Sequence, residues 1–328
     1  MQNLTPLPLR AGIIDMRHRF REIYHTVQEA RRGVLPFDRP IEEVLLNRGD
    51  EAAASGKPVH LDHARLKLHF VILPGLFADC LSYDAKPFQM HEHLRQYGYA
   101  ASLLWVNGRS SSEYNAKTIY QAWYEHDKDE RLVFVGYSKG AVDALQAVVT
   151  YPEIRERTAA IVSVAGAVYG SPIASIIPAP IRWLIRHVSL GRCKPGDGGS
   201  LESLKLQTRL KWLEDNPLPH EIRYFTLAGT PQPKQISRLL RLGYRFLSKH
   251  GGVNDSQVIY HDTQIPNSQF LAFVNADHFA IALPLSKRWW VERSLLNQND
   301  YPREILLESM VRYVEEQLLE ANEQLDLA

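Results

Sequence analysis

The pentapeptide Gly-Tyr-Ser-Lys-Gly at residues 136–140 places Ser138 between two glycines. An apolar run at 132–135 precedes this peptide, and a helical pattern at 141–149 follows it. A sharp turn from a strand into a helix needs small residues on both sides of the serine, because strand and helix approach closely there. A serine that only capped the helix would need neither glycine, and Asp, Asn or Thr would serve as well. The pattern therefore predicts that Ser138 is a nucleophile.

The elements around this turn alternate between short apolar runs and helical segments. The predicted strands lie at 68–73, 100–106, 132–135, 159–165, 222–227 and 269–274, and the predicted helices at 14–32, 88–97, 114–124, 141–149, 235–250 and 303–319. Near-continuous apolar strands that alternate with helices indicate a mostly parallel sheet covered by helices on both faces. Because the carboxyl ends of such strands share one edge, an active site is expected along that edge.

The serine turn, this order of strands and two later motifs together resemble the α/β-hydrolase family, particularly its lipase- and esterase-like members. The resemblance covers about residues 63–320. It implies a triad in the chain order serine, carboxylate, histidine, in which the histidine takes the serine proton and the carboxylate orients the histidine. His278 follows the apolar run at 269–274, and residues 277–280 resemble the histidine loop of bacterial lipases and esterases. The resemblance thus implies that His278 is the base.

Two carboxylates compete for the role of the triad acid. Residues 252–258, Gly-Val-Asn-Asp-Ser-Gln-Val, resemble the acid loop of the family and favour Asp255. Asp262 lies seven residues later and stays open as the alternative. Asp277 is adjacent to the proposed base, and we expect it to shape the loop rather than to orient the ring. The chain departs from the family pattern at 229–252, where an inserted element separates the strand from the acid loop.

Acyl transfer develops negative charge on a carbonyl oxygen, and two preorganised N–H groups usually stabilise that charge. The resemblance implies that one N–H belongs to Lys139, the residue after the nucleophile, and the other to the loop at 73–78 after the first core strand. Within this loop we favour Phe77, with Leu76 as the alternative donor. The family often has His-Gly here, whereas this chain has Pro-Gly, a variant also seen in the family.

Two segments lie outside the shared pattern. Residues 1–62 are polar and mixed, and we expect an N-terminal extension packed on a core formed by 63–169 and 220–328. Residues 170–219 are too long for a plain loop and are predicted to form a cap or lid. The aliphatic stretch at 171–186 suits an apolar acyl chain or transient contact with a lipid surface, although a buried cap helix would show the same pattern. Basic residues of the cap could meet an anionic head group or face solvent: Arg182, Arg186, His187 and Arg192.

Composition and charge exclude several classes of function. The chain has 38 basic and 37 acidic residues, a net charge of +1, and its basic and aromatic residues do not cluster as a nucleic-acid surface demands. No metal is expected, because His91 and His93 stand two residues apart in a predicted helix and point in different directions. Two cysteines, Cys80 and Cys193, exclude a disulfide framework but leave one bridge open. With no leader pattern and no long apolar span, a cytoplasmic location is predicted.

The resemblance implies a serine carboxylester hydrolase that needs no cofactor and acts on a small-molecule or lipid-like ester with an apolar acyl part. An acyltransferase or a thioesterase would use the same triad, and the sequence does not decide between them. A third hypothesis is a non-catalytic protein that binds a partner through the same fold. A missing triad residue would indicate this third class, and here all three positions can be filled. The sequence predicts neither the natural substrate nor the oligomeric state.

Overall fold

The strands form one parallel sheet, as the sequence predicts. The computed structural model describes residues 7–35, 39–77, 92–124, 130–180, 182–183, 195–283 and 301–326. Within these ranges seven strands are hydrogen-bonded in the order β1-β7-β6-β5-β4-β2-β3, and every pairing is parallel. The strands are β1 (Ile14–Asp15), β2 (Leu68–Leu73), β3 (Ala100–Leu103), β4 (Arg131–Tyr137), β5 (Thr158–Val164), β6 (Arg223–Gly229) and β7 (Gln269–Val274).

Helices cover both faces of this sheet. They are α1 (Arg17–Ala30), α2 (Ile41–Val44), α3 (Glu92–Arg95), α4 (Ser112–Trp123), α5 (Lys139–Thr150), α6 (Pro152–Arg157), α7 (Pro172–Ile176), α8 (Leu206–Asp215), α9 (Arg241–His250) and α10 (Arg303–Asp326). Alternate residues of the central strand β4 enter different cores, because successive side chains of a strand point to opposite faces. Val133 and Val135 pack with α1 and α10, whereas Leu132 and Phe134 pack with α4 and α5.

The N-terminal segment contributes an edge strand to the sheet. Ile14 and Asp15 pair in parallel with Gln269 and Phe270 of β7. The predicted helix over 14–32 is therefore wrong at its start, because backbone bonds to β7 hold these residues extended and α1 begins only at Arg17. The predicted division between an extension at 1–62 and the core stays a prediction.

Further element boundaries differ from the sequence-based prediction, among them the end of the last helix, which reaches Asp326 instead of residue 319. The strand predicted over 100–106 ends at Leu103. The helix predicted over 235–250 begins at Arg241, and two short 3₁₀ turns precede it. The physical reason is a tertiary bond: the amide of Ser237 donates to the Asp277 carboxylate at 2.8 Å, which diverts the chain before the helix starts.

Some of the remaining predictions fall on residues outside the described ranges. These are residues 88–91 of the predicted helix at 88–97, the two cysteines, and residues 181 and 184–194 of the predicted cap. Among the described helices, none is long and apolar enough to cross a membrane.

Candidate active site

The turn at Ser138 has the geometry that the sequence predicts. Ser138 has φ 55° and ψ −119°, a strained conformation for a non-glycine residue, and it links the end of β4 to the first turn of α5. A Cβ at Gly136 would lie 2.4 Å from the backbone of Ala141, and a Cβ at Gly140 would lie 2.2 Å from the carbonyl oxygen of Leu73. Only glycine fits at either position, because strand and helix approach that closely.

His278 joins Ser138 to Asp255 through two short hydrogen bonds. Its Nε2 lies 2.8 Å from Ser138 Oγ, and its Nδ1 lies 2.7 Å from Asp255 Oδ2. All three side chains are buried. This geometry lets the imidazole accept a proton from the hydroxyl while the carboxylate fixes the ring and its tautomer.

The acid loop holds Asp255 rigidly. Its second oxygen, Oδ1, accepts hydrogen bonds from the amides of Gln257 at 2.9 Å and Val258 at 2.7 Å. A Cβ at Gly229, the last residue of β6, would lie 2.8 Å from Asp255 Cβ, so the strand end packs tightly against the acid. One carboxylate oxygen is therefore committed to the loop, and the other is directed at the histidine.

The structure places the rival carboxylate, Asp262, in a different network. Asp262 Oδ1 accepts a hydrogen bond from Arg10 Nη2 at 2.8 Å, and Arg10 also donates to the carbonyl of His261 at 2.7 Å. Burial raises the pKa of Asp262, and His261 and Arg10 oppose that rise. The described contacts of the Asp262 carboxylate are thus with Arg10 and His261 and not with His278.

Of the two proposed oxyanion donors, Lys139 directly follows Ser138, and Phe77 belongs to the loop after β2. Lys139 is the first residue of α5, where backbone N–H groups have no partner within the helix. The loop after β2 reaches Ser138 at Gly75, where an added Cβ would lie 2.8 Å from Ser138 Cβ. Phe77 in this loop has φ 59°, a conformation that non-glycine residues rarely adopt.

A buried ion pair beside the nucleophile was not predicted from the sequence. Lys139 Nζ lies 2.6 Å from Asp143 Oδ1, and both side chains are almost completely buried. Asn115 of α4 donates to the other Asp143 oxygen at 2.8 Å. Burial raises the pKa of Asp143, and Lys139 and Asn115 lower it. The spacing of four residues in a helix was the available sequence signal for the pair.

Two contacts of the histidine loop were also not predicted from the sequence. The Tyr137 hydroxyl donates to the carbonyl of His278 at 2.5 Å. Asp277 accepts from the amide of Ala280 at 2.9 Å and from the amide of Ser237 at 2.8 Å, which agrees with the expectation that Asp277 shapes the loop. Burial raises the pKa of Asp277, and these hydrogen bonds oppose the rise.

A second set of serine, histidine and carboxylate occurs elsewhere in the sheet. His69 Nε2 lies 2.8 Å from Ser102 Oγ, and His69 Nδ1 lies 3.0 Å from Glu130 Oε2. Ser102 lies inside β3, paired with Val71, and a loop follows the strand. It therefore has neither a strained turn nor a helix N-terminus next to it, and the hydrogen bonds alone do not make it a nucleophile.

The described residues contain no cluster of three side chains that could hold a metal ion. His93, one of the two histidines considered in the sequence, lies 2.7 Å from Glu308 of α10. His91 lies outside the described residues.

Comparison with known proteins identifies the family. A scan against models of protein families finds no match, and a search of curated proteins finds none either. The structure is similar to the crystal structure of the metagenomic carboxyl esterase MGS0156, with a TM-score of 0.90 and 38% identity over 96% of this chain and 97% of that chain. It is also similar to the mature form of Bacillus licheniformis lipase BlEst2, with a TM-score of 0.51 and 19% identity over 77% of this chain and 96% of that chain.

The second similarity is a similarity of fold alone, because the identity is low. The first extends over nearly the whole of both chains at 38% identity, and with the parallel sheet it confirms the predicted fold. The chain therefore belongs to the α/β-hydrolase superfamily, among its esterase- and lipase-like serine hydrolases.

Proposed function

We propose that this protein is a serine carboxylester hydrolase that acts through an acyl-serine intermediate on esters with an apolar acyl part. The observation that carries the proposal is the continuous chain of hydrogen bonds from Ser138 through His278 to Asp255, built on a strained strand-to-helix turn. The similarity to a structure described as a carboxyl esterase supports the same reaction class.

Each of the three triad residues has a distinct role in the proposed mechanism. Ser138 Oγ attacks the ester carbonyl while His278 Nε2 takes its proton, and the imidazolium then returns the proton to the leaving alcohol. Asp255 keeps Nδ1 protonated and stabilises the imidazolium. In the second half-reaction His278 takes a proton from the water that attacks the acyl-serine, and it gives that proton to Ser138 Oγ as the acid is released.

The backbone amides of Lys139 and Phe77 are proposed to stabilise the oxyanion. The position of Lys139 at the start of α5 supports its role, because its N–H lacks an intrahelical partner and the helix dipole favours negative charge there. The positive φ of Phe77 supports its choice over Leu76, because such strain is typically retained where a loop must present a backbone group to a ligand.

Apolar side chains near the serine support an apolar acyl part. Ala167 donates its amide to the carbonyl of Ser138 at 3.3 Å. Its side chain packs with Val142 of α5 and with Ala174 of α7, the first helix of the predicted cap, and with Val258 of the acid loop. We propose that this aliphatic cluster makes the surroundings of Ser138 apolar, which suits the methylene groups of an acyl chain better than a charged substrate.

A series of nitrophenyl esters with increasing acyl length tests this proposal. We expect the purified protein to release nitrophenol, the rate to depend on acyl length, and Ser138→Ala to abolish the activity. Addition of a short alcohol should leave the free acid as the main product. Predominant transfer to the alcohol would contradict hydrolysis in favour of acyl transfer, and equal rates for wild type and Ser138→Ala would contradict the proposed mechanism. The predicted cytoplasmic location remains a separate proposal.

A further inference from the structure

The segment that enters the acid loop has an unusual charge. Residues 230–254 contain five Lys and Arg residues and no Asp or Glu, although the whole chain has a net charge of only +1. The basic residues are Lys234, Arg238, Arg241, Arg245 and Lys249. This segment includes all of α9, so the positive charge is concentrated on one helix and on the turns before it.

Two leucines of this segment are directed at solvent instead of at the core. Leu239 is 57% exposed and Leu242 is 77% exposed, and they stand three residues apart on one side of the chain. Arg238, Arg241 and Arg245 are exposed around them. On the opposite side Leu240 and Leu247 are buried and hold the segment on the protein. Because Leu239 and Leu242 are exposed, the packing of the core does not depend on them.

The segment lies directly at the rim of the catalytic residues. A Cβ at Gly243 would lie 2.5 Å from the carbonyl oxygen of Ser256, the neighbour of Asp255. The side-chain amide of Asn254 donates to Ser248 Oγ at 3.1 Å. At its other end the Ser237 amide is bonded to Asp277, the neighbour of His278. The segment therefore bridges the acid loop and the histidine loop.

The cap extends the same exposed apolar surface. Ile173 of α7 lies against α9, since a Cβ at Gly243 would lie 3.2 Å from Ile173 Cδ1. Ile176 of the same helix is 52% exposed, and Trp183 is 60% exposed. Of the basic cap residues considered in the sequence, only Arg182 lies within the described ranges, and it is exposed.

We infer that residues 234–250, termed here the basic rim, dock the protein on an anionic lipid surface and bring the catalytic residues to it. Such binding has two elements: exposed leucines enter the lipid interface, and arginines contact anionic head groups. A positively charged surface selects anionic lipid by charge complementarity. A symmetric contact between two copies of the rim would instead bring ten like charges together, two sets of the five counted above. The delivery of substrate rests on the proposed function, whereas lipid binding itself does not.

Vesicle co-sedimentation tests the docking directly. We expect the protein to bind vesicles of phosphatidylcholine mixed with phosphatidylglycerol, and to bind vesicles of phosphatidylcholine alone about tenfold or more weakly. Added salt should weaken the binding, because it screens the head-group charges. Leu239→Ser with Leu242→Ser, and separately Arg238→Gln with Arg241→Gln and Arg245→Gln, should each reduce binding to the mixed vesicles by about tenfold or more.

Matched controls come from exposed residues away from the rim. Leu210→Ser on α8 and Arg223→Gln at the start of β6 should bind the mixed vesicles as the wild type does. Hydrolysis of a short, soluble nitrophenyl ester should be the same in the wild type, the rim variants and the controls, which also shows that the variants fold.

Three results would overturn the inference. The first is equal binding to both kinds of vesicle, and the second is binding that the rim variants do not reduce. The third is dimerisation in ultracentrifugation that the leucine variant abolishes, which would assign the surface to a second copy of the chain. Failure of the proposed function is a separate outcome: the protein would then not hydrolyse esters, but it would still bind the vesicles.

Discussion

Asp255 and His278 are joined twice. The Asp255 carboxylate lies 2.7 Å from His278 Nδ1, and the His278 amide donates to the Asp255 carbonyl at 2.8 Å. The backbone bond fixes the two loops relative to each other, so the side-chain bond requires no reorganisation when the imidazolium forms. This double connection is what separates Asp255 from the other carboxylates of the region.

Asp255→Asn should therefore lower kcat by about 10³- to 10⁴-fold with little change in KM, because an amide stabilises the wrong tautomer of His278 and carries no charge. Steady-state kinetics on a soluble ester measures this loss. Asp262→Asn is the matched control and should keep a kcat close to that of the wild type, since the described contacts of Asp262 lead to Arg10. A large loss of kcat in Asp262→Asn, with a kcat close to that of the wild type in Asp255→Asn, would assign the acid role to Asp262.

Gly75→Ala tests the close approach of the proposed oxyanion loop to the nucleophile. The added methyl group would lie 2.8 Å from Ser138 Cβ and 3.3 Å from Ser138 Oγ. We expect kcat/KM to fall by roughly 100-fold, because displacement of reacting groups by a fraction of an ångström is costly. Gly33→Ala is a control for backbone strain, since Gly33 has φ 75° and open space around it. That variant should lose stability but not activity, and unchanged activity in Gly75→Ala would contradict the placement of the loop.

We expect Lys139 and Asp143 to be compatible with a stable fold only when both are charged partners or when both are replaced. Asp143→Leu leaves the Lys139 ammonium buried without its partner and should lower the free energy of unfolding by about 3–5 kcal/mol. Lys139→Met combined with Asp143→Leu should recover most of that loss, because two apolar side chains replace the pair. Urea unfolding of the two variants measures the difference. Equal destabilisation in the single and double variants would show that the charge interaction is not the cause.

We expect the ionisation of Glu308 to make the free energy of unfolding depend on pH in the acidic range. Burial would raise its pKa, but hydrogen bonds from His93 and Arg31, with the charge of Arg312, lower it to about 2 from an ordinary 4.5. A lowered folded-state pKa stabilises the fold above pH 4.5, and this stabilisation is lost as the pH falls towards 2. The loss should be on the order of 3 kcal/mol. Glu308→Gln should therefore be less stable than the wild type at neutral pH, and the difference should shrink below pH 4.5. A difference in the free energy of unfolding that does not change with pH would contradict the assignment.

The sequence predicted those features whose geometry depends on residues close together in the chain. The turn at Ser138 depends on an adjacent strand, an adjacent helix and two flanking glycines, all within about twenty residues. His278 was recognisable because it stands in the loop that follows β7 and because that loop resembles the histidine loop of the family. Most core strands were predicted to within a few residues, since each is a continuous apolar run.

Features that depend on distant parts of the chain were not predictable in this way. The pairing of Arg10 with Asp262 spans 252 residues, so the sequence favoured Asp255 only through the resemblance of its loop and left Asp262 open as the alternative. The short strand at Ile14 exists only because β7 supplies its partner. The late start of α9 likewise depends on a bond from Ser237 to Asp277, 40 residues away.

Labelling with a fluorophosphonate, followed by mass spectrometry of the digested protein, tests directly whether His278 activates Ser138. Such probes react with a serine whose hydroxyl is activated by a base. We expect a single phosphonate adduct on Ser138, no adduct in Ser138→Ala, and unchanged labelling in Ser102→Ala, which removes the second hydrogen-bonded serine. An unlabelled wild type, or an adduct on Ser102 that persists in Ser138→Ala, would contradict the role of Ser138 as the nucleophile.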